Sequence, residues 1–145
     1  MDIEPIPWSS SLSVGMNSLD SDHQHLLKLI NAVLASFAAA KEVNTRDLTD
    51  QFDALLAFWP VHFRREEEIL EATSYPELIS HKKVHRFMEA RLAQFRVTFL
   101  NLPPTPGNLA TLHSRLEDWV LLHIQGVDKR YQPHLPSSPS PGQSS

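Results

Sequence analysis

Apolar residues recur at steps of three and four positions in four separate segments of the chain. The third segment is the most regular, and its stripe consists of Leu78, His81, His85, Met88, Leu92, Phe95 and Phe99. The same spacing describes the other three stripes, which are His23, Leu26, Leu27, Ile30, Leu34 and Phe37, then Phe52, Leu55, Leu56, Trp59, His62, Glu66 and Ile69, and last Leu109, Leu112, Leu116, Trp119 and His123. Residues spaced in this way lie on one face of an α-helix. The pattern therefore predicts four amphipathic helices and no strand.

Turn-forming residues separate the four stripes. Loops are predicted at KEVNT, TSYP and NLPPTPGN, with Thr45 as an N-cap, Pro76 in a first helical turn and Asn108 as a cap. Pro133 is predicted to end the fourth helix. Four helices of about 20 to 25 residues with short connections favour an all-α, up-down-up-down four-helix bundle.

The predicted bundle spans residues 19–132 and has a segment of different character at each end. Residues 1–18 are expected to form an N-terminal arm, with Trp8 laid against the bundle. Residues 133–145 are rich in proline and serine and hold almost nothing to bury, so they are predicted to be a disordered tail.

Pro60 lies inside the second stripe, two residues before His62. A proline inside a helix removes a hydrogen bond and costs about 3 kcal/mol. Two outcomes are open: the helix restarts near Pro60, or a kink there directs His62.

Composition excludes several classes of function. The net charge is −4 and no Lys/Arg-rich run occurs, so a nucleic-acid partner is not expected. The chain has no cysteine, which excludes disulfides and thiolate metal sites. No apolar run approaches the roughly 20 residues that span a bilayer, and the acidic start MDIEPIPW is not that of a signal peptide. We therefore expect no membrane association and a cytoplasmic location.

Five of the eight histidines lie on the apolar stripes, and they are distributed over all four helices. A single buried histidine is usually a satisfied core residue, but five imidazoles in one core would each need a hydrogen-bond partner. The stripes supply few polar residues for this purpose, whereas a metal accepts a lone pair from every ring. The stripe histidines are therefore candidate metal ligands, and the three others are expected at the surface: His25, His113 and His134.

The stretch HFRREEEIL places one of its three glutamates on the apolar stripe. Glu66 is four residues after His62, so the two side chains share a face. Glu67 is about 100° and Glu68 about 200° further round the helix. Glu67 and Glu68 are therefore predicted to face solvent, beside the arginines at positions 64 and 65.

Asp128 follows His123 by five residues, which is about 140° away from it in a regular α-helix. Either Asp128 reaches a site from the flank, or a π-bulge brings it into phase. Gly126 lies between the two residues and would tolerate such a bulge.

Five imidazoles and two carboxylates are too many ligands for one ion in such a bundle. Two divalent ions carry a charge of about +4, and two bridging carboxylates with one hydroxide reduce it to about +1. Nitrogen and oxygen ligands without sulfur suit iron, manganese or zinc.

The candidate ligands occur along the chain as a single histidine, then HxxxE, then HxxxH, then HxxxxD. This order resembles the hemerythrin family, and most closely the single-domain bacterial hemerythrins. The resemblance extends from Trp8 to Tyr131 and is carried by SVGMNSLDSDH, HFRREE, YPELISHKKVH and WVLLHIQGVDKRY. It implies a non-heme di-iron centre with a bridging oxo or hydroxo group. One iron would be held by three histidines and the other by two, with both carboxylates bridging, so that the implied ligands are His81, His85 and His123, then His23 and His62, then Glu66 and Asp128.

The resemblance also implies reversible O₂ binding, as a hydroperoxide-type ligand on the two-histidine iron, for storage, delivery or sensing. Plausible walls of an O₂ pocket are Phe63, Trp119, Ile124 and Gly126. Two alternatives stay open: a di-iron enzyme, such as a peroxidase, ferroxidase or nitric oxide reductase, and a non-redox zinc site. O₂ is the expected ligand, and an electron donor or an O₂-consuming protein is an open partner.

Overall fold

The computed structural model of the chain describes residues 1–135, and for residues 126–129 it describes the backbone alone. Within residues 1–135 there are four long helices and no strand. They are α1 (Asn17–Ala39), α2 (Arg46–Ala72), α3 (Leu78–Leu100) and α4 (Pro106–Leu121). Consecutive helices pack against each other and α1 also packs against α4, which closes the bundle. The predicted fold class is confirmed.

The chain continues past α4 without a loop. A π-helical segment, Leu122–Asp128, follows directly and leads into one α-helical turn, Lys129–Tyr131, and one 3₁₀ turn, Gln132–His134. Residues 136–145, which make up most of the predicted tail, lie outside the described residues. No helix in the described part of the chain is both long and apolar enough to cross a membrane.

The arm before α1 is fixed to the bundle by reciprocal hydrogen bonds. The Ile6 backbone N–H donates to the Asn31 side chain (2.8 Å), and the Asn31 amide donates to the Ile6 carbonyl (2.9 Å). Trp8 is partly buried against the main core, as the sequence predicted. At Gly15, φ is +82°, a conformation that other residues rarely adopt, and the chain turns there into α1.

The helix caps agree with the sequence in one case and differ in two. The Thr45 side chain accepts from the Leu48 N–H and caps α2, as predicted. The prediction for Asn108 is wrong, because the cap of α4 is Thr105 and its side chain accepts from the Asn108 N–H. Pro76 lies in the turn before α3 rather than inside its first turn.

Pro60 does not end α2, which runs through it from Arg46 to Ala72. Of the two open outcomes, the restart of the helix is therefore excluded. Pro60 is exposed, while its neighbour Trp59 is fully buried. The backbone group that loses its partner at a proline can be hydrated on the solvent side of a helix.

The buried apolar residues form two clusters, and the polar residues of the predicted site lie between them. The smaller cluster consists of Val14, Leu19, Leu70, Tyr75 and Tyr131. On α1 the chain passes from Leu19 in this cluster through His23 to Leu26 in the main cluster. Along α2 the order is reversed, from Trp59 through Glu66 to Leu70. The site is thereby enclosed by apolar side chains at both ends.

Candidate metal centre

Helices α1, α2 and α3 and the π-helical segment after α4 bring the five stripe histidines and Glu66 together in the interior. None of the six residues is more than 3% exposed. Their candidate ligand atoms form two groups, and within each group all of these atoms lie within 4.8 Å of one another. The groups are His23, His62, Glu66 and His123, and Glu66, His81 and His85.

Glu66 belongs to both groups because its two oxygens face different histidines. Oε1 lies 2.6 Å from Nε2 of His81 and 2.9 Å from Nε2 of His85. Oε2 lies 3.2 Å from Nε2 of His62 and 3.8 Å from Nε2 of His23. One carboxylate therefore joins two sets of imidazoles.

Burial and the neighbouring imidazoles shift the pKa of Glu66 in opposite directions. Burial by itself raises the pKa of a carboxyl group, because it disfavours the charged form. The imidazoles of His23, His62, His81 and His85 outweigh this effect and hold the pKa of Glu66 well below its usual range. Glu66 is therefore an anion at neutral pH, the form in which a carboxylate binds metal.

His123 lies at the boundary between the two groups. Its ring centroid is 5.4 Å from that of His85 and 6.1 Å from that of His81, against 6.4 Å from those of His23 and His62. Its ligand atom nevertheless groups with His23 and His62. The resemblance predicts that His123 shares an ion with His81 and His85, and the position of its ring is compatible with either group of ligands.

Asp22, which the sequence did not single out, supports His62 from behind. Its Oδ2 lies 3.1 Å from Nδ1 of His62, and its Oδ1 accepts a hydrogen bond from Arg65. A carboxylate only accepts, so Nδ1 of His62 donates to Asp22, and Nε2, on the side of Glu66, is the ring nitrogen left to bind a metal ion. Asp22 is 5% exposed although it is charged, and Arg65 supplies the counter-ion.

Glu67 has the same relation to His85, which corrects the prediction that it faces solvent. Its Oε2 lies 2.6 Å from Nδ1 of His85, and its side chain is only 14% exposed. Arg86 approaches the same oxygen at 3.7 Å. Glu68 is exposed, as predicted. Position around one helix does not reveal the carboxylate's partner on α3, so the sequence pattern did not indicate this contact.

Tyr131 is a further residue that the sequence did not assign to the site. It is fully buried, and its hydroxyl donates to Oε2 of Glu66 at 3.1 Å. Its ring centroid is 5.4 Å from that of His81. Its position three residues after Asp128, one helical turn further along, is the signal that could have indicated it.

The segment that follows His123 is π-helical, as one of the two interpretations of the sequence required. A π-helix has more residues per turn than an α-helix, so residues five apart come closer to one face. The side chain of Asp128 and the burial of Gly126 are outside what the structure describes. The roles of Asp128 as a ligand and of Gly126 as a pocket wall stay predictions.

The other three predicted pocket residues are buried in the main apolar core. Phe63 is 1% exposed and stacks on His85, with ring centroids 3.7 Å apart. Ile124 is fully buried, and Trp119 is 8% exposed. Trp59 fills the space between Trp119 (4.2 Å) and His123 (5.3 Å), again measured between ring centroids. These side chains surround the site with apolar groups.

The residues present fit a metal site. Imidazole nitrogens and a carboxylate converge within a few ångströms in a buried space, and for His62 and His85 a carboxylate holds the tautomer that metal binding needs. The donors are nitrogen and oxygen without sulfur, which suits iron, manganese or zinc.

Comparison with known proteins gives one family. The family model described as the hemerythrin HHE cation binding domain matches residues 14–135. The chain is 27% identical over 124 residues to a bacteriohemerythrin of Stenotrophomonas maltophilia, and the match covers 86% of this chain and 77% of that protein. It is 28% identical over 132 residues to myohemerythrin-1 of Phascolopsis gouldii, with coverages of 91% and 96%.

Solved structures share the fold. A crystal structure of wild-type hemerythrin superimposes with a TM-score of 0.73 at 22% sequence identity, over 90% of this chain and 97% of that one. A crystal structure of a mutant hemerythrin gives a TM-score of 0.74 at the same identity, over 90% of this chain and 96% of that one.

Proposed function

This chain belongs to the hemerythrin family, and from that membership we propose that it binds O₂ reversibly at a non-heme di-iron centre. We assign it as a binding protein for storage, delivery or sensing rather than as an enzyme. The proposed ligands are His23, His62, Glu66, His81, His85, His123 and Asp128, with an oxo or hydroxo bridge between the ions.

The observation that carries the proposal is the double orientation of Glu66. Its Oε1 faces His81 and His85, and its Oε2 faces His62 and His23. A carboxylate shared in this way suits two ions side by side better than one ion. The family assigns the same pairs of histidines to separate irons, which supports the di-iron interpretation.

The charged residues around the ligands have a positioning role. Asp22 and Glu67 fix the ring orientation and tautomer of His62 and His85, so that both Nε2 atoms stay directed at the site. Tyr131 holds one oxygen of Glu66. Two iron ions, when bound, supply the electrons for O₂ binding by changing between the ferrous and ferric states.

The apolar residues around the candidate metal centre exclude water and protons from it. Phe63, Trp59 and Ile124 are all buried, the ring of Phe63 stacks on His85, and that of Trp59 contacts His123. By excluding water and protons, these residues would slow the irreversible oxidation of ferrous ions held at the site to the ferric state. This environment favours reversible binding over turnover.

The test is optical. Iron should be present at two ions per chain, and the ferrous protein mixed with air should develop a visible charge-transfer absorption that disappears under argon. Absorption that forms but never reverses, together with sustained turnover of peroxide and a reducing dye, would assign the enzyme alternative. Zinc in place of iron after growth in iron-rich medium would assign the non-redox alternative. The cytoplasmic location and a partner that donates electrons or consumes O₂ stay predictions.

A further inference from the structure

A surface groove between α3 and α4 opens to solvent beside the candidate metal centre and shares Trp119 and His123 with it. Its volume is about 420 Å³, within the range of small-molecule sites. It is lined from α3 by Val84, Phe87, Met88, Arg91 and Phe95, and from α4 and the π-helical segment by Arg115, Asp118, Trp119, Leu122 and His123. We call these residues the α3–α4 groove.

The groove has exposed apolar residues at its rim and a hydrogen bond between its two helices at its floor. Phe87 is 65% and Leu122 67% exposed, although both are large apolar residues. At the floor the Trp119 indole N–H donates to the Met88 carbonyl at 3.2 Å, which links the two helices below the opening. This hydrogen bond joins α3 and α4 at the floor of the groove, and an apolar molecule placed in the groove would cover the exposed rim.

Two arginines at the groove lack carboxylate partners. The Arg91 guanidinium lies over the rings of Phe87 (6.0 Å) and Phe95 (5.6 Å), a cation–π arrangement that holds it against the groove. Neither Arg91 nor Arg115 forms an ion pair with any residue that the structure describes, whereas Arg65, Arg86 and Arg96 each do. Guanidinium groups bind carboxylates through paired hydrogen bonds.

The charge of the lining selects the ligand. Arg91 and Arg115 are positive and Asp118 is negative, while the chain as a whole carries a net charge of −4. One negative charge on a ligand would balance the groove. A cation would be repelled, and a neutral molecule would supply no carboxylate to either guanidinium group.

We propose that the α3–α4 groove binds a small amphipathic monocarboxylate, such as a medium-chain fatty acid. The hydrocarbon part lies against Phe87, Trp119 and Leu122, and the carboxylate lies on Arg91 and Arg115. None of these contacts is with a proposed metal ligand, and carboxylate binding is measured without O₂, so failure of one proposal does not decide the other.

Isothermal titration of the metal-loaded protein with octanoate tests the proposal. Octanoate should bind at one molecule per chain, at least tenfold more tightly than octyltrimethylammonium or 1-octanol, which have similar tails without the negative charge. Equal affinity for octanoate and the ammonium compound would overturn the charge-based assignment. Absence of octanoate binding, together with self-association that Phe87→Ala abolishes, would overturn it in favour of a second copy of this chain.

Variants of exposed residues identify the contacts. Arg91→Gln and Arg115→Gln should each weaken octanoate binding about tenfold, because each removes a charge-assisted hydrogen bond. Asp118→Asn should tighten binding severalfold, because it removes the one like charge. Lys83→Gln is the matched control: it removes one exposed positive charge from α3 outside the groove and should leave the affinity unchanged. Equal effects of the Lys83 and Arg91 variants would refute a specific contact.

Discussion

Glu66 is the residue at which the two sets of histidines meet, and its neighbours in sequence have different environments. It is fully buried, Glu67 is partly buried behind His85, and Glu68 is exposed. Three identical side chains in succession thus have three different roles, because successive positions on a helix differ by about 100° in direction.

Replacement of Glu66 should abolish binding of two ions together. In Glu66→Ala the histidines lose the carboxylate between them, and a buried cationic site loses one of its negative charges. We expect no more than one metal ion per chain by elemental analysis and no reversible O₂ spectrum. Glu68→Ala is the control, with the same substitution two residues away at the surface, and should retain both ions. Full occupancy in Glu66→Ala would contradict the shared-carboxylate interpretation.

Asp22 acts on the site through His62, so its replacement should weaken metal binding without removing a ligand. In Asp22→Asn the Nδ1–H of His62 loses a charged acceptor, and we expect metal affinity to fall about 10- to 100-fold. Competition with a chelator measures this change. Asp50→Asn, which removes an exposed carboxylate near Arg46 on α2, should have no effect. An unchanged affinity in Asp22→Asn would mean that His62 needs no support from it.

At the scale of elements, the end of α4 is the part that most directly shapes the site. The π-helical segment Leu122–Asp128 follows α4, and its backbone has more residues per turn than a regular α-helix. A regular α-helix would direct Asp128 about 140° away from His123. The observed π-helical backbone is the one of the two sequence interpretations that would bring Asp128 into phase with His123, and the role of Asp128 stays a prediction.

The start of α4 depends on Thr105, whose side chain accepts from the Asn108 N–H at 3.1 Å. Thr105→Ala leaves that N–H without a partner at the helix end, and we expect the free energy of unfolding to fall by about 1 kcal/mol. Chemical denaturation measures the change. Ser114→Ala, an exposed substitution within the same helix, should not destabilise the protein. A loss of similar size in both variants would show that the cap is not responsible.

At the scale of the whole molecule, the site brings ionisable groups into the layer between two apolar clusters. Five imidazoles, Glu66 and Asp22 are all buried there. Burial of such groups costs free energy unless each is bonded to a partner. A metal bound only by the folded chain offsets this cost, since binding to the native state stabilises it.

Removal of metal should therefore lower the melting temperature. At a free metal concentration of about 100 times Kd the stabilisation is about 2.7 kcal/mol for one site. Calorimetry of the loaded protein and of the protein after chelation measures the difference. In Glu66→Ala the difference between loaded and chelated protein should be smaller. Equal melting temperatures of loaded and chelated wild-type protein would contradict a buried metal site.

The periodicity of the sequence was sufficient to predict the four helices, their order and the gathering of the stripe histidines. These features are local or follow directly from local ones, because residues three and four apart on a helix share a face whatever the rest of the chain does. Glu66 could be separated from Glu68 by the same rule. The π-bulge was one of two interpretations, because the five-residue step from His123 to Asp128 allows either.

Only the tertiary structure decided which groups support the ligands. Asp22 and His62 are 40 residues apart and Glu67 and His85 are 18 apart, each pair on two different helices. Whether such side chains meet depends on how deeply and at what angle two helices pack, and no spacing within one helix contains that information. The sequence by itself determined which faces turn inward, and the packing of the faces determined the contacts behind them and the open groove between α3 and α4.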